Sequence, residues 1–475
     1  MLLERIYEDK LAQAAYLIGC QRTGAAAIID PNRDIDRYIE AAERQRVQIV
    51  AVTETHIHAD FVSGAAELAA RTGARLYLSG AGDRDWQYAR ASEWNAEILF
   101  DGSTFNIGDV RVEAAHTPGH TPEHLTFLVT DTASATEPMG ALTGDFIFVG
   151  DVGRPDLLER AAGIAGTKEA SARALYASLQ EFKKRPDYLQ IWPGHGAGSA
   201  CGKELGAMPQ STVGYERLFN WALAETDETR FVEQVLTGQG DPPAYFAVMK
   251  RVNRDGVTNG TSASPRAIDA AQLKTLLVER SAVMVDARPV ADFARQHVAG
   301  SVNIPHGRSF LKWAGALLPY DGDVALVLPG GLSAAEPVIK DLSLIGLTRI
   351  TAVFPAESIA AAASSGVATP SVSQLRVTRL ADPEARNGLI VLDVRNDDEW
   401  TQGHIPGAIH IPLASLPRRI SELPPDRPIA VHCQGGTRSA IATSLLQRHG
   451  RDVSNVPGGF SEWERDGFPI ARGDG

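Results

Sequence analysis

Short apolar runs alternate with amphipathic stretches through the first 250 residues, and several runs end directly on ionisable side chains. A run of about four to eight apolar residues bounded by Gly, Pro or polar residues predicts a buried strand. We therefore expect strands at Val47–Thr53, Val110–Ala115, Leu125–Val129, Ala141–Asp145 and Tyr188–Trp192. Strands that alternate with helices in this way predict an α/β domain.

Histidines and carboxylates gather at the ends of these runs. The first run leads into His56, His58 and Asp60, and more candidates stand at strand ends or on Gly/Pro turns: His116, His120, His124, Asp145 and His195. Imidazole and carboxylate are the usual ligands of Zn or Fe(II) in proteins. A hydrogen bond would explain one histidine at a strand end, but the placement that all of them share predicts a metal site.

The second half of the chain repeats itself. Val285–Arg288 matches Leu392–Arg395, and His297–Pro305 matches His404–Pro412, with the same offset of 107 residues (393 − 286 and 404 − 297). Each copy begins with the order strand, turn, acidic helix, strand, which is typical of a parallel α/β sheet. The repeat predicts two homologous domains.

Two polar stretches interrupt the apolar pattern, at 251–265 and at 363–371, and both predict linkers. A chain of 475 residues is too long for one ordinary core, so several domains are expected. The breaks place these domains at 1–252, 266–362 and 374–475.

The last copy carries a cysteine between a predicted strand and a predicted helix. Cys433 opens the pattern C-x-x-G-x-R-S, which ends at Ser439. Converging backbone N–H groups, a helix N-terminus and Arg438 would stabilise a thiolate there, so we expect Cys433 to be a nucleophile. The residues expected to bind its substrate with Arg438 are Gln434, Gly435, Gly436 and Thr437.

The middle copy has Val324–Ser333 at the corresponding place, without a cysteine. We expect it to be catalytically silent and either to position the other two domains or to form a subunit contact. The sequence does not choose between these roles, and it leaves homo-oligomer formation open.

Composition narrows the classes of function. With a net charge of −12 and a pI near 5.5, broad binding to nucleic acid or to an anionic membrane is not expected. No apolar run reaches transmembrane length. Three cysteines, Cys20, Cys201 and Cys433, do not suggest a disulfide framework, so a reducing cytoplasm is the expected compartment. Cys201 is either near the metal or an inert buried thiol.

The first domain resembles the metallo-β-lactamase superfamily in four motifs: Thr55–Asp60, Thr117–Thr121, Thr143–Asp145 and Pro193–His195. The resemblance implies an αβ/βα sandwich with the metal site along one edge. The dinuclear hydrolases of this superfamily carry another histidine after the aspartate, which helps to hold a second metal. Phe61 stands there in this chain and cannot ligate, so a mononuclear site is expected.

That departure, together with Thr117–Thr121 and Gly150–Asp156, resembles the persulfide dioxygenase branch. The resemblance implies one Fe(II) per chain, held by His56, His120 and Asp145. Two imidazoles and one carboxylate leave three coordination positions open for a persulfide sulfur and O2.

The same resemblance implies roles for residues around the iron. His58, Asp60 and His195 would orient ligands or handle protons, unless they bind a second metal. Arg154 would hold a carboxylate of a glutathione-like thiol, or else form a structural ion pair.

The last domain resembles the rhodanese sulfurtransferases in Asp393, Gly403–Ala408, Cys433–Ser439 and Pro457–Trp463. Related cysteine phosphatases have a loop one residue longer between Cys and Arg, and the shorter loop here suits a bound sulfane sulfur. The resemblance implies that Cys433 carries sulfane sulfur and that Arg438 attracts thiosulfate or sulfite.

The fold class expected for the whole chain is therefore multidomain α/β, a metallo-β-lactamase sandwich followed by two rhodanese-like parallel-sheet domains. The expected function is oxidation of a thiol persulfide, such as glutathione persulfide, by O2 to sulfite, coupled to sulfane transfer through Cys433. The alternatives are a Zn-dependent thioester hydrolase of the glyoxalase II type fused to a rhodanese, and a non-enzymatic sulfur sensor or scaffold.

Overall fold

The structure of the protein is a computed structural model that describes residues 1–157, 166–203, 205–239, 242–243, 245–256 and 264–473. The chain divides into two compact units. The first contains Met1–Asn259 with Ser343–Gly346, and the second contains Gly260–Leu342 with Leu347–Gly475. Residues 257–263 of the predicted linker at 251–265 lie outside the described residues.

The first unit is built on two six-stranded sheets. The strands of the first sheet, in spatial order, are β1 (Leu2–Glu8), β2 (Gln13–Cys20), β3 (Ala25–Ile29), β4 (Gln48–Thr53), β5 (Arg75–Ser79) and β6 (Glu97–Leu99). β1, β2 and β3 pair antiparallel, whereas β3 to β6 run parallel.

The second sheet has the spatial order β12-β11-β10-β9-β8-β7. Its strands are β7 (Thr104–Ile107), β8 (Val110–His116), β9 (Leu125–Asp131), β10 (Gly140–Gly144), β11 (Gln190–Pro193) and β12 (Ser211–Thr212). β10 and β11 are parallel, and the other pairs are antiparallel. The five predicted strands are confirmed as β4, β8, β9, β10 and β11, with ends that shift by one or two residues.

Helices cover the outer face of each sheet. The helices described in this unit are α1 (Asp36–Gln45), α2 (Ala65–Thr72), α3 (Lys168–Phe182), α4 (Val213–Phe219), α5 (Trp221–Ala224), α6 (Glu228–Leu236) and α7 (Phe246–Asp255). In α3 the buried positions Ala172, Leu175, Leu179 and Phe182 fall on one face because they recur every three or four residues. α7 continues five residues into the stretch expected to be a linker.

Three hydrophobic clusters divide this unit into layers. One joins the first sheet to α1 and α2, a second fills the space between the sheets, and a third joins the second sheet to α3 and α6. β2 is buried along its whole length because it is a central strand with packing on both faces. The layer order is helix, sheet, sheet, helix, which is the predicted αβ/βα sandwich.

The second unit contains two five-stranded parallel sheets, with the orders β13-β17-β16-β14-β15 and β18-β22-β21-β19-β20. The strands of the first are β13 (Arg266–Ala267), β14 (Val283–Asp286), β15 (Val302–Asn303), β16 (Val324–Leu328) and β17 (Ile350–Pro355). Those of the second are β18 (Ser373–Gln374), β19 (Ile390–Asp393), β20 (Ile409–His410), β21 (Ile429–His432) and β22 (Val453–Asn455). The identical order in the two sheets confirms the sequence repeat.

Helices accompany both sheets. The first set is α8 (Ala270–Glu279), α9 (Val290–Arg295), α10 (Phe310–Leu317), α11 (Glu336–Leu344) and α12 (Ile359–Ser364). The second set is α13 (Val377–Ala381), α14 (Pro383–Arg386), α15 (Asp397–Gln402), α16 (Leu416–Arg419), α17 (Thr437–Arg448) and α18 (Gly459–Arg465). Among the described residues, no helix is both long and apolar enough to span a bilayer.

Candidate metal centre and cysteine loop

The loops at one edge of the sandwich bring three predicted ligands together. His56 follows β4, His120 lies between β8 and β9, and Asp145 comes directly after β10. Asp145 Oδ2 lies 3.5 Å from His120 Nε2 and 3.9 Å from His56 Nε2. One potential ligand atom from each residue lies within 4.8 Å of the others, and all three residues are buried.

The second ring nitrogen of each histidine has a partner that fixes the ring. His120 Nδ1 lies 3.0 Å from the carbonyl oxygen of Arg154, which only accepts, so Nδ1 carries the proton and Nε2 presents its lone pair. The Thr55 hydroxyl donates to Asp30 and lies 2.9 Å from His56 Nδ1, which orients His56 in the same way. Both imidazoles therefore present Nε2 towards Asp145.

Burial sets the charge of these groups. It lowers the pKa of His56 well below the usual value and that of His120 to about 3, so both imidazoles are neutral and ready to ligate. Burial also raises the pKa of Asp145 to about 6. Within the described chain, neither carboxylate oxygen of Asp145 has a hydrogen-bond partner. A cation bound between His56, His120 and Asp145 would satisfy Oδ2 of Asp145, so the residues present fit a metal ion.

A second group of buried side chains adjoins the first. His195, which follows β11, places Nε2 3.3 Å from Asp60 Oδ2 and 3.5 Å from Asp145 Oδ1. The ring is held by the carbonyl oxygen of Ala12, 3.0 Å from Nδ1. Asp60, His195 and Cys201 also offer ligand atoms within 4.8 Å of one another.

The ring of His58 lies beside that of His56, with centroids 4.2 Å apart. Its Nε2 lies 3.1 Å from Asp30 Oδ1. Burial alone would lower the pKa of His58, but the charges of Asp30, Glu54 and Asp60 raise it to about 9. The contact of Nε2 with Asp30 fixes the orientation of the His58 ring.

Phe61, which the sequence resemblance places where dinuclear hydrolases have a further histidine, packs against His58. Its side chain is fully buried, and its ring centroid lies 4.3 Å from that of His58. The phenyl ring supplies no electron pair there.

Arg154 forms a bidentate ion pair with Asp156, at 2.7 and 2.8 Å, and both side chains are buried. Its backbone N–H donates to the carbonyl oxygen of Cys201. These contacts favour the structural role for Arg154, and binding of a substrate carboxylate stays a prediction. The Cys201 thiol is buried beside Asp60 and Asp145, and burial followed by these two charges raises its pKa.

Two other candidate ligands do not join the cluster. His124 Nε2 accepts from the backbone N–H of Asp145 at 3.2 Å, so it orients a ligand. His116 Nε2 donates to the carbonyl oxygen of Pro122 at 2.8 Å and lies at the end of β8.

Two residues that hold the loop Thr55–Phe61 in place were not predicted from the sequence. Asp30, at the end of β3, accepts from the backbone N–H and the hydroxyl of Thr55 and pairs with His58. Asn253, in α7, donates to the carbonyl oxygens of His58 and Phe61 at 2.7 Å each. The position of Asp30 directly after an apolar run was a usable signal, whereas Asn253 stands 195 residues from His58 in the chain.

In the last domain, Cys433 follows β21 and α17 begins at Thr437. The thiol is buried, its sulfur accepts from the backbone N–H of Gly436 at 3.1 Å, and the Ser439 hydroxyl lies 3.6 Å away. Gly436 has φ of +101°, a conformation that turns its N–H towards the sulfur and favours glycine. The predicted loop is therefore folded around the sulfur.

Arg438 lies beside this loop in a bidentate ion pair with Glu399, at 2.6 and 2.7 Å. Gln434 contacts Arg395 and Ser461, at 3.2 and 2.9 Å. Gly435, Thr437 and Arg438 line the same cavity as Cys433. The roles of these residues in substrate binding stay predictions.

The two-sheet sandwich with buried imidazoles and a carboxylate at one edge defines a metal-binding domain of the metallo-β-lactamase type. The parallel-sheet domains, one with a cysteine loop, define the rhodanese-like class. The Metallo-beta-lactamase superfamily matches residues 9–195, and the Rhodanese-like domain family matches residues 269–336 and 377–466.

Known proteins match parts of this arrangement. A metallo-beta-lactamase from Staphylococcus aureus subsp. aureus COL is 39% identical, with a TM-score of 0.68, over 74% of this chain and 99% of its own. A sulfurtransferase from Allochromatium vinosum is 40% identical over 99 residues, which are 20% of this chain and 89% of that protein. A beta-lactamase hydrolase-like protein from Xylella fastidiosa is 30% identical over 48% of this chain, and the match spans about half (53%) of that protein.

The chain belongs to the metallo-beta-lactamase superfamily and carries two rhodanese-like domains after the lactamase-type domain. The predicted family and fold class are thereby confirmed. At this level the protein combines a metal-binding hydrolase-like domain with domains of the sulfurtransferase class.

Proposed function

We propose that the first unit is a mononuclear non-haem Fe(II) persulfide dioxygenase and that the last domain transfers sulfane sulfur through Cys433. The first reaction would be RSSH + O2 + H2O → RSH + SO3²⁻ + 2 H⁺, with a glutathione-like thiol as RSH. The partners are this persulfide, O2 and sulfite or thiosulfate, and neither nucleic acid nor a membrane is among them. We place the activity in the cytoplasm, in agreement with three unpaired cysteines.

The observation that carries the proposal is the ligand set of His56, His120 and Asp145, with Phe61 close by. Two neutral imidazoles and one carboxylate correspond to the facial triad of non-haem Fe(II) oxygenases. Bound Fe(II) would supply adjacent open positions for the persulfide sulfur and O2.

Backbone and side-chain groups of the protein would hold the ligands in place. The carbonyl oxygen of Arg154 and the hydroxyl of Thr55 fix the two imidazoles, at 3.0 and 2.9 Å. His195 and Asp60 lie 3.3 Å apart next to Asp145 and can take up or return the protons of the water and the thiol.

The sulfur-transfer step uses Cys433. Its thiolate attacks the outer sulfur of thiosulfate, the S–S bond breaks, and sulfite leaves while Cys433 becomes a persulfide. The reverse reaction would load newly formed sulfite with sulfur and give thiosulfate. Two sites in one chain raise their effective mutual concentration.

The decisive experiment is anaerobic purification with metal quantification, followed by an oxygen-electrode assay with glutathione persulfide. We expect about one Fe per chain and O2 uptake that matches sulfite formation. Asp145→Ala should lose iron and reduce O2 uptake by more than about 100-fold, because removal of a direct ligand exceeds the 10- to 100-fold loss typical of supporting residues. The exposed Asp9 provides the matched control, Asp9→Ala, which should leave both unchanged.

A Zn-dependent thioester hydrolase of the glyoxalase II type is the second candidate. The observation in its favour is the group of Asp60, His195 and Cys201 beside the first site, which offers ligands for another ion. Two Zn per chain, thioester hydrolysis and no O2 uptake would establish this interpretation and overturn the oxygenase. A scaffold without enzymatic activity would consume no O2 and hydrolyse no thioester.

A further inference from the structure

The cavity above Cys433 has walls from both rhodanese-like domains. It measures about 370 Å³, within the range of about 300–1,000 Å³ that is typical of small-molecule pockets. Cys433 and Arg438 come from the last domain, while Ser309, Lys312 and Trp313 come from the start of α10 in the middle domain. The domain without a cysteine therefore shares the reaction cavity.

Direct contacts between the two domains keep this wall in place. α17, which begins four residues after Cys433, packs against β15 of the middle domain. The buried hydroxyl of Ser444 in α17 accepts from the backbone N–H of Asn303 in β15 at 2.9 Å. Arg448 at the end of α17 lies 3.4 Å from the carbonyl oxygen of Gly300. One helix thus supports the cysteine loop and holds the middle domain against it.

The charges around the cavity are unequal. Arg438 is neutralised by its bidentate contact with Glu399, which also accepts from the backbone N–H of Asn396. Lys312 has no ion pair within residues 264–473, and its Nζ lies 5.3 Å from the ring centroid of Trp313. In this part of the chain, no acidic side chain lines the cavity. Among the residues that line the cavity, Lys312 is therefore the positively charged side chain without an ion pair.

The surroundings of Lys312 suit the binding of an anion. Lys312 is exposed, so an anion from solvent can reach its ammonium group. An anion bound at Lys312 would form a charge-assisted hydrogen bond with the ammonium group, and such bonds are strong. Reactants of sulfane transfer carry such charges, namely the sulfonate of thiosulfate and the carboxylates of thiols such as glutathione.

We propose that Lys312, supplied by the middle domain, is a specificity-determining residue that binds the anionic group of the sulfur donor or acceptor at Cys433. The proposal rests on the proposed sulfurtransferase function. In the donor step, Lys312 would hold the sulfonate while the thiolate of Cys433 attacks the outer sulfur and sulfite departs. In the acceptor step, it would hold a carboxylate of the thiol while the thiolate of that molecule takes the sulfur and Cys433 returns to its reduced form.

Lys312→Gln in the full chain tests this, with thiosulfate as donor and either glutathione or the uncharged 2-mercaptoethanol as acceptor. We expect a loss of about 10- to 100-fold in kcat/KM for the anionic reactant that Lys312 binds, carried mainly by KM, because a hydrogen bond to a charged group is removed. A loss in the thiosulfate half-reaction identifies the sulfonate, and a loss with glutathione but not 2-mercaptoethanol identifies the carboxylate. Lys312→Arg should restore most of the activity.

The matched control is Lys274→Gln, at an exposed lysine in α8 of the same domain. If Lys312→Gln behaves like this control in both half-reactions, or loses activity equally with 2-mercaptoethanol and glutathione while thiosulfate turnover is intact, the proposal is wrong. A wild-type chain that transfers no sulfur from thiosulfate would instead refute the proposed function on which it rests.

Discussion

The two rhodanese-like domains share a scaffold and differ in one loop. In both, a buried aspartate at the end of a strand binds an arginine two residues later, Asp286 with Arg288 at 2.6 Å and Asp393 with Arg395 at 2.7 Å. Both copies also bond a histidine Nδ1 to the carbonyl oxygen four residues earlier, at 3.1 and 3.0 Å. These features stabilise the fold, because they persist where the nucleophile is missing.

The two copies differ after the central strand, which is β16 in the middle domain and β21 in the last. Asp286 pairs with Val327 in the parallel register, and Asp393 pairs with His432, so Leu328 stands where the last domain has Cys433. After Leu328 the chain forms a short 3₁₀ helix, Gly331–Ala334, before α11 begins at Glu336, whereas α17 begins at Thr437, directly after the loop of Cys433. The residues that stabilise the fold therefore differ from those that carry the reaction. A domain without a nucleophile can still form a wall of the reaction cavity.

The largest expected effect comes from the nucleophile itself. Cys433→Ser should lower sulfur transfer at least about a thousandfold, because no other group in the loop can carry the sulfane sulfur. O2 uptake with glutathione persulfide should be unchanged, and an oxygen electrode together with a thiosulfate assay measures both. Loss of both activities in a correctly folded variant would contradict independent sites.

The ion pairs that the two copies share should contribute equally to the stability of both domains. Asp286→Ala removes the partner of the largely buried Arg288, and Asp393→Ala removes that of the fully buried Arg395, so each should lower the opening free energy of its own domain by about 3–5 kcal/mol. Hydrogen–deuterium exchange of β14 and β19 measures this. The exposed controls Asp321→Ala and Asp426→Ala should stay within about 0.5 kcal/mol of the wild type. A loss confined to the last domain would mean that the pair does not stabilise the middle copy.

The sequence predicted features that lie close together in the chain or repeat along it. The ligands His56, His120 and Asp145 were recognisable because each follows an apolar run, and an offset of 107 residues exposed the second copy. Asn253 was misread as linker, because an apolar pattern does not mark a polar residue on the buried face of α7, next to Phe246 and Met249.

Other features depend on contacts that spacing along the chain does not encode. Glu399 neutralises Arg438 across 39 residues, so the charge expected to attract an anion is already occupied. Lys312 reaches the cavity of Cys433 because β15 packs against α17, and no motif marks that contact. That the middle domain lies beside the loop of Cys433 could be seen only in the structure.

A moderate effect is expected from the hydroxyl next to the sulfur. Ser439 donates to the carbonyl oxygen of Gly436 at 3.0 Å and lies 3.6 Å from Cys433 Sγ. Ser439→Ala should lower kcat/KM for thiosulfate about two- to tenfold, the value of one neutral hydrogen bond. Ser333→Ala in the middle domain removes a similar bond, to Gly330 at 2.8 Å, and should leave the rate unchanged. Equal losses would mean that the hydroxyl acts through stability alone.

The smallest effect is expected from placing a thiol in the silent copy. Leu328→Cys, made in the Cys433→Ser background, puts sulfur at the matching strand end, yet we expect no sulfur transfer above that background. The 3₁₀ helix that follows is one turn long, and Ser333 stands in the loop where the last domain has Arg438, so the thiolate would lack a long helix N-terminus and a cationic neighbour. Mass spectrometry after thiosulfate treatment would reveal a persulfide on the introduced thiol. Its formation at a rate near that of Cys433 in the wild type would show that the scaffold alone activates a thiol, and the division between scaffold and loop would then have to be abandoned.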